Sequence, residues 1–146
     1  DNILFIFHDV SNLKVTLMQE HGFFEMEIID QTLIVRCFDD WNQELVARLC
    51  KEYKELVKTI YDKPWACLVD MTRWGLSTSE MWDEIDELNH WGNLNNQRFE
   101  VVICSMSIQK DLMVDSHEVL TNVETKFCET VEQAHDWLAS VGVLNK

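Results

Sequence analysis

The chain has 146 residues, 47% of them apolar, with one proline and four glycines, enough for one compact domain with its own core and without a linker, repeat or low-complexity stretch. Its 26 acids against 12 bases give a formal net charge of −14, which opposes phosphate backbones and anionic headgroups and excludes nucleic acid as a partner class. No apolar run approaches the roughly 18 residues that span a bilayer, and five cysteines without a CxxC pair read as buried thiols of a reducing cytoplasm rather than a disulfide framework or zinc ribbon.

Residues 1–21 read as an N-terminal extension, open to being an extra strand; ILFIF lacks the basic flank and cleavage site of a signal peptide. In GFFEMEIIDQTLIVRCF, Phe24/Met26/Ile28 and Leu33/Val35/Cys37 alternate on either side of Asp30-Gln31, the pattern of a hairpin. Asp39, Asp40 and Asn42 then offer N-cap chemistry. Leu45, Leu49, Tyr53, Leu56 and Ile60 follow at helical spacing, giving a helix of about 20 residues that Lys63-Pro64 stops. WACLVD is a short apolar run bounded by breakers, as a central parallel strand is; it ends at Asp70 and leads into a Trp74-Gly75 turn.

Ser77-x-x-Glu80 has the form of a capping box, opening a second helix with Met81, Ile85, Leu88 and Trp91 on its inward face. FEVVICSM, Phe99 to Met106, reads as a buried strand, and a weaker helical pattern follows around Lys110 to Leu120. VETKFCE alternates as a strand. Thr130-x-x-Gln133 caps a last helix whose Ala134, Trp137, Leu138 and Val141 face inward before Gly142 ends it. This order, a hairpin and then three βα crossover units, predicts an α/β fold with a mixed sheet of about five strands flanked by about four helices. Sites in such sheets lie outside the carboxyl ends of the strands, where the connection direction reverses. That edge is expected to gather Phe38 to Trp41, Asp70 to Trp74 and Ser105 to Ser107.

With GFFEMEI opening the hairpin, WN at the first helix, a strand ending in LVD and FCETVEQAHDWL closing it, the chain resembles the SpoIIAA-like (STAS) domains. It resembles most the small stand-alone bacterial STAS/SEC14-type proteins, over Gly22 to Val141 and as a single domain, 22–146. The resemblance implies a non-enzymatic binding module. The family's anti-sigma-factor antagonists engage a protein partner around the second helix, and the stand-alone branch is associated with apolar ligands or membranes. The antagonists also use a phosphorylatable serine in an Asp-Ser-Ser-Gly-type stretch after the third strand. Here the stretch is LSTSE: Ser77, Thr78 and Ser79 supply hydroxyls, but no acid precedes Ser77 and no glycine follows, so no phospho-switch is expected.

Asp70 has three candidate roles, since catalytic acids, phospho-acceptors and acids that cap a turn all occur at the end of a buried strand. A receiver-like phospho-acceptor would draw on Asp39-Asp40, Ser105 and Lys126, but a receiver places a further strand and helix before its acceptor, and Lys126 lies mid-strand. The turn-capping reading is a loop-structuring acid that accepts N–H groups of Met71 to Trp74 and so presents Trp74. The second helix is the stronger clue. Gly75 to Gln97 holds Glu80, Asp83, Glu84, Asp86 and Glu87 and no Lys or Arg. The like-charged pairs Glu80/Glu84 and Asp83/Glu87 each cost an isolated helix roughly 0.2–0.5 kcal/mol, which the helix dipole offsets only in the first turn.

Such a face is either solubilising or a docking surface for a protein with a basic surface. Trp91 continues the inward stripe, while Trp74 and Trp82 are candidates for half-exposed anchors. The candidate partner- or ligand-binding set is thus Trp74, Ser77, Glu80, Trp82, Asp83, Glu84, Glu87 and Trp91. The alternative function is a soluble carrier of an apolar, lipid-like molecule admitted when the helix lifts between Gly75 and Gly92; self-association stays open. Five histidines without HxxxH or HExxH spacing, and the absence of GxGxxG, Walker or nucleophile-elbow motifs, lead us to expect no metal, cofactor or catalytic set.

Overall fold

A computed structural model describes residues 20–77, 79–104 and 107–145. Most of the N-terminal extension, Thr78 and Ser105 lie outside the described residues. The hairpin forms as β1 (Phe23–Ile29) and β2 (Thr32–Trp41), antiparallel from Phe23↔Phe38 to Ile29↔Thr32. Asp30 takes the turn's left-handed conformation at φ 54°, which a short polar side chain tolerates. Helix α1 (Gln43–Val57) begins at Asn42 alone, whose side chain accepts from Leu45 N–H at 3.2 Å. Asp39 and Asp40 stay in β2, because the strand runs three residues beyond the predicted start of capping. The helix is also shorter than predicted: it ends at Val57, and Ile60 is buried from the turns that follow.

Strand β3 (Trp65–Ser77) has 13 residues and corrects the predicted strand end at Asp70 and the Trp74-Gly75 turn. The extension of β2 gives the β3 backbone continued partners, Arg36↔Asp70, Phe38↔Arg73, Asp39↔Trp74 and Trp41↔Ser77, with register slips between them. The predicted turn is an irregular stretch of ladder. Helix α2 (Met81–Leu94) starts after Glu80, which has helical φ/ψ and no side-chain cap bond. Because Ser77 closes β3, the predicted capping box does not form. Gly92 lies buried inside α2 rather than beyond its end.

Strand β4 (Gln97–Ile103), helix α3 (Ser107–Ser116), strand β5 (Glu124–Cys128) and helix α4 (Val131–Ser140) complete the order. At α4, Thr130 accepts from Gln133 N–H at 3.1 Å while the Gln133 side chain accepts from Glu129 N–H at 3.0 Å, and Gly142 at φ 83° ends the segment.

The sheet order is β1-β2-β3-β4-β5, antiparallel at the first pair and parallel thereafter. This is the predicted mixed five-stranded α/β architecture. Since each crossover steps one strand in the same direction, α1, α2 and α3 share one face, and among the described residues α4 is the helix that covers the other. The cores reflect this. Leu33, Val35, Cys67 and Val102 pack with Leu45, Leu49, Tyr53, Met81, Leu88 and Met113; Ile34, Ala66, Leu68, Val101 and Ile103 pack with Ala134, Leu138, Val143 and Leu144. Among the described residues the strand order does not reverse, so the predicted crevice at a reversal point does not form between these five strands.

Candidate functional site

Helix α2 presents two surfaces. Outward, Glu80, Asp83, Glu87, His90 and Leu94 recur at spacings of three and four and are all exposed, as one helix face must be. Leu94 is 67% exposed. Among the described residues none of these three acids is in an ion pair. The other two acids flank the stripe and are half-buried. Glu84 accepts from Gln43 Nε2 of α1 at 3.0 Å. Asp86 is held above the usual carboxylate range by burial first and then by Asp83 and Glu118, while His117 pulls it back.

The predicted aromatics divide differently from expectation. Trp74 is buried at 4% exposure rather than half-exposed, because β3 continues through it and its ring sits edge-on between Trp41 and Trp82 at 6.3 and 6.1 Å. Trp82 is half-buried. Trp91 is half-buried instead of core, with the Tyr61 ring at 6.2 Å and Lys54 Nζ 5.7 Å from its centroid. Ser77 contributes backbone at the end of β3. Asp70, on the face opposite α2, accepts at Oδ1 from Thr72 N–H at 3.0 Å and Thr72 Oγ–H at 2.7 Å. It stands inside the strand, beside the register slip.

Inward, α2 roofs a cavity of about 60 Å³ walled by residues that include Trp41, Met71, Trp74, Met81, Trp82 and Leu88. Polar groups meet at one end of it. Glu100, 2% exposed, stands mid-sheet in a row with Leu33, Cys67 and Thr125 and pairs with His117 Nε2. A fully buried glutamate is rare unless paired. Glu100 Oε1 also accepts from Gln97 Nε2 at 3.1 Å, and His117 Nδ1 faces the Met113 carbonyl and the Ser116 hydroxyl. Asn89 of α2 donates to Ser116 O at 2.9 Å, tying the roof to α3. Burial chiefly, then Glu100, raises the Cys67 thiol, while the Tyr53 hydroxyl that donates to it lowers it.

Neither Glu100 nor His117 belongs to the set predicted from sequence. The signal was present as one acid inside the apolar run Phe99 to Ile103, since a charge in a buried strand demands a partner.

No protein-family model matches the chain, and no curated protein matches it in sequence. Solved structures do match. An uncharacterised protein with a SpoIIAA-like fold from Shewanella loihica PV-4 is 15% identical over 82% of this chain and 95% of that one, with a TM-score of 0.64. The anti-sigma factor antagonist SpoIIAA in its unphosphorylated form is 11% identical over 82% and 99%, at 0.55. An anti-sigma factor antagonist from Mycobacterium paratuberculosis is 11% identical over 82% and 95%, at 0.56. The likeness is one of fold: the chain is folded as a SpoIIAA-like domain.

Proposed function

We propose that this SpoIIAA-like domain is a non-enzymatic binding module that docks a protein with a basic surface through the outer face of α2. The observation that carries the reading is the exposed stripe Glu80, Asp83 and Glu87, unneutralised among the described residues and continued by His90 and the bare Leu94. A charged track with one apolar end suits a partner with matching lysines or arginines and a shallow pocket. Two solved structures of the same fold are anti-sigma factor antagonists, which supports a regulatory binding role. Trp74 and Trp82 support α2 from beneath, and Asp70 holds the irregular part of β3. A phospho-switch in LSTSE is no part of the reading, because its flanking residues depart from the antagonists' pattern.

The test is capture of a basic partner from the native host by wild-type protein and by Asp83→Lys/Glu87→Lys. These two acids are more exposed than Glu84, which α1 already engages. Charge reversal should cut recovery at least tenfold, and wild-type association should slow as salt shortens the Debye length below roughly 8 Å. Undiminished recovery by the variant would remove this surface.

A second reading, a soluble carrier of an apolar molecule, is favoured by one observation: the void beneath α2 is lined almost wholly by aromatic, aliphatic and sulfur side chains. Its volume of about 60 Å³ is under half of the roughly 150 Å³ that accommodates benzene in an engineered cavity. Loading therefore requires α2 to give.

A further inference from the structure

We propose that the cavity beneath α2 takes a compact neutral molecule with an apolar body and one hydroxyl donor, an alcohol or phenol, whose donor meets Glu100 at the His117 pair. The proposal rests on the second reading above and names the class of head group. It begins from the placement of a carboxyl group where an apolar side chain would serve packing as well. Glu100 shares its row of the sheet with Leu33, Cys67 and Thr125, and the cavity wall beside it is otherwise almost wholly apolar.

Donors and acceptors at this end do not balance. His117 Nδ1 faces the Met113 carbonyl, which only accepts, so Nδ1 carries a hydrogen. Nε2 and Glu100 then share one proton, as imidazolium with carboxylate or as imidazole with carboxylic acid, and the pair is neutral either way. Gln97 Nε2 is committed to Glu100 Oε1, Asn89 Nδ2 to Ser116 O, and the Tyr53 hydroxyl to Cys67. A carboxylate offers about four acceptor directions, of which Gln97 and His117 occupy two. The polar end of the cavity thus has acceptor capacity left over on Glu100.

A guest that donates a hydrogen bond fills one of the two directions left on Glu100. A guest carboxylate would bring acceptor against acceptor and a second charge into a buried site, which turns the expectation away from fatty acids. The walls suit an aromatic or short aliphatic body, because Trp41, Trp74 and Trp82 present ring faces and edges while Met71 and Met81 adapt to shape. Entry is through the roof, where Trp82 and Ile85 are half-buried and α2 begins without a side-chain cap.

Phenol, benzyl alcohol, toluene and benzoate, titrated into the full chain with tryptophan fluorescence and the His117 ring proton resonances as readouts, test the proposal. Phenol and benzyl alcohol should bind at least tenfold more tightly than toluene and shift the His117 resonances, while benzoate should not bind. In Glu100→Gln, checked for folding by circular dichroism, the preference over toluene should shrink to threefold or less. If that variant does not fold, the wild-type resonances decide. Toluene binding as tightly as phenol would overturn the head-group class while leaving the carrier reading; binding of benzoate would overturn the acceptor-rich end. No binding of any probe would overturn both the proposal and the carrier reading.

Discussion

Replacing Glu100 by alanine leaves His117 buried without its carboxylate and Gln97 without the oxygen it donates to. Breaking a buried pair from one side typically costs about 3–5 kcal/mol, and replacing both partners by apolar groups costs far less. We therefore expect Glu100→Ala to lower the unfolding free energy measured in urea by that amount, and Glu100→Leu/His117→Leu to be nearer wild type than the sum of the single changes. Equal additivity in the denaturation cycle would show that the pair carries no coupling. This site was only half legible in the sequence. Apolar periodicity rewards Val101, Val102 and Ile103 and passes over the one acid among them, and His117 joins it only through a crossover that no spacing rule encodes. Asp70, by contrast, drew notice as the end of an apolar run, although the strand continues past it.

Helix α2 depends on a glycine at Gly92. A Cβ there would stand 2.4 Å from Gln97 Oε1, and Gln97 is fully buried with its amide engaged by Glu100, so the neighbour has little room to yield. Alanine ordinarily favours a helix over glycine by about 1 kcal/mol. Here we expect overpacking to win, with Gly92→Ala destabilising by about 1–3 kcal/mol; a higher melting temperature in a thermal scan would refute the tight seat. The inward residues Met81 and Leu88 were readable from helical spacing. The helix start and the burial of Trp74 were not, because both follow from how far β2 runs. Once β2 continues to Trp41 it supplies ladder partners through Ser77, and local turn and capping signals give way to non-local pairing.

Across the molecule, all five cysteines are held above their ordinary value of 9.0, mainly by burial. Cys50 is pushed up to about 11 by burial and then Glu84; Cys37 and Cys67 are raised further. An unfolded chain releases these protons near pH 9 while the folded one keeps them. The unfolded state then binds fewer protons, so stability falls as pH rises. Fully buried Cys37 and Cys67 contribute most to the loss. Denaturation midpoints should thus be steady from pH 7 to 8.5 and drop steeply above 9, and Cys37→Ala/Cys67→Ala should flatten the drop. Element order and sheet class were legible throughout, because alternation and helical spacing are local; the allocation of helices to faces emerged only with the strand order.

That strand order bears on how the chain is made. Each parallel strand joins the one before it, so the sheet can grow in the order of synthesis, with α1, α2 and α3 roofing one side as they emerge. The other side must wait. Among the described residues, Ile34, Ala66, Leu68, Val101 and Ile103 are covered by α4 and the tail behind it, and that tail is fastened to the first hairpin by Gln31 N–H and Thr32 Oγ–H, both on Val143 O, at 3.2 and 2.8 Å. Until α4 and residues 141–145 have left the ribosome, a nearly complete sheet shows an apolar flank to its surroundings. Helix α4 is consequently the step at which the second core closes, and a ribosome stalled shortly before it would hold an aggregation-prone fragment.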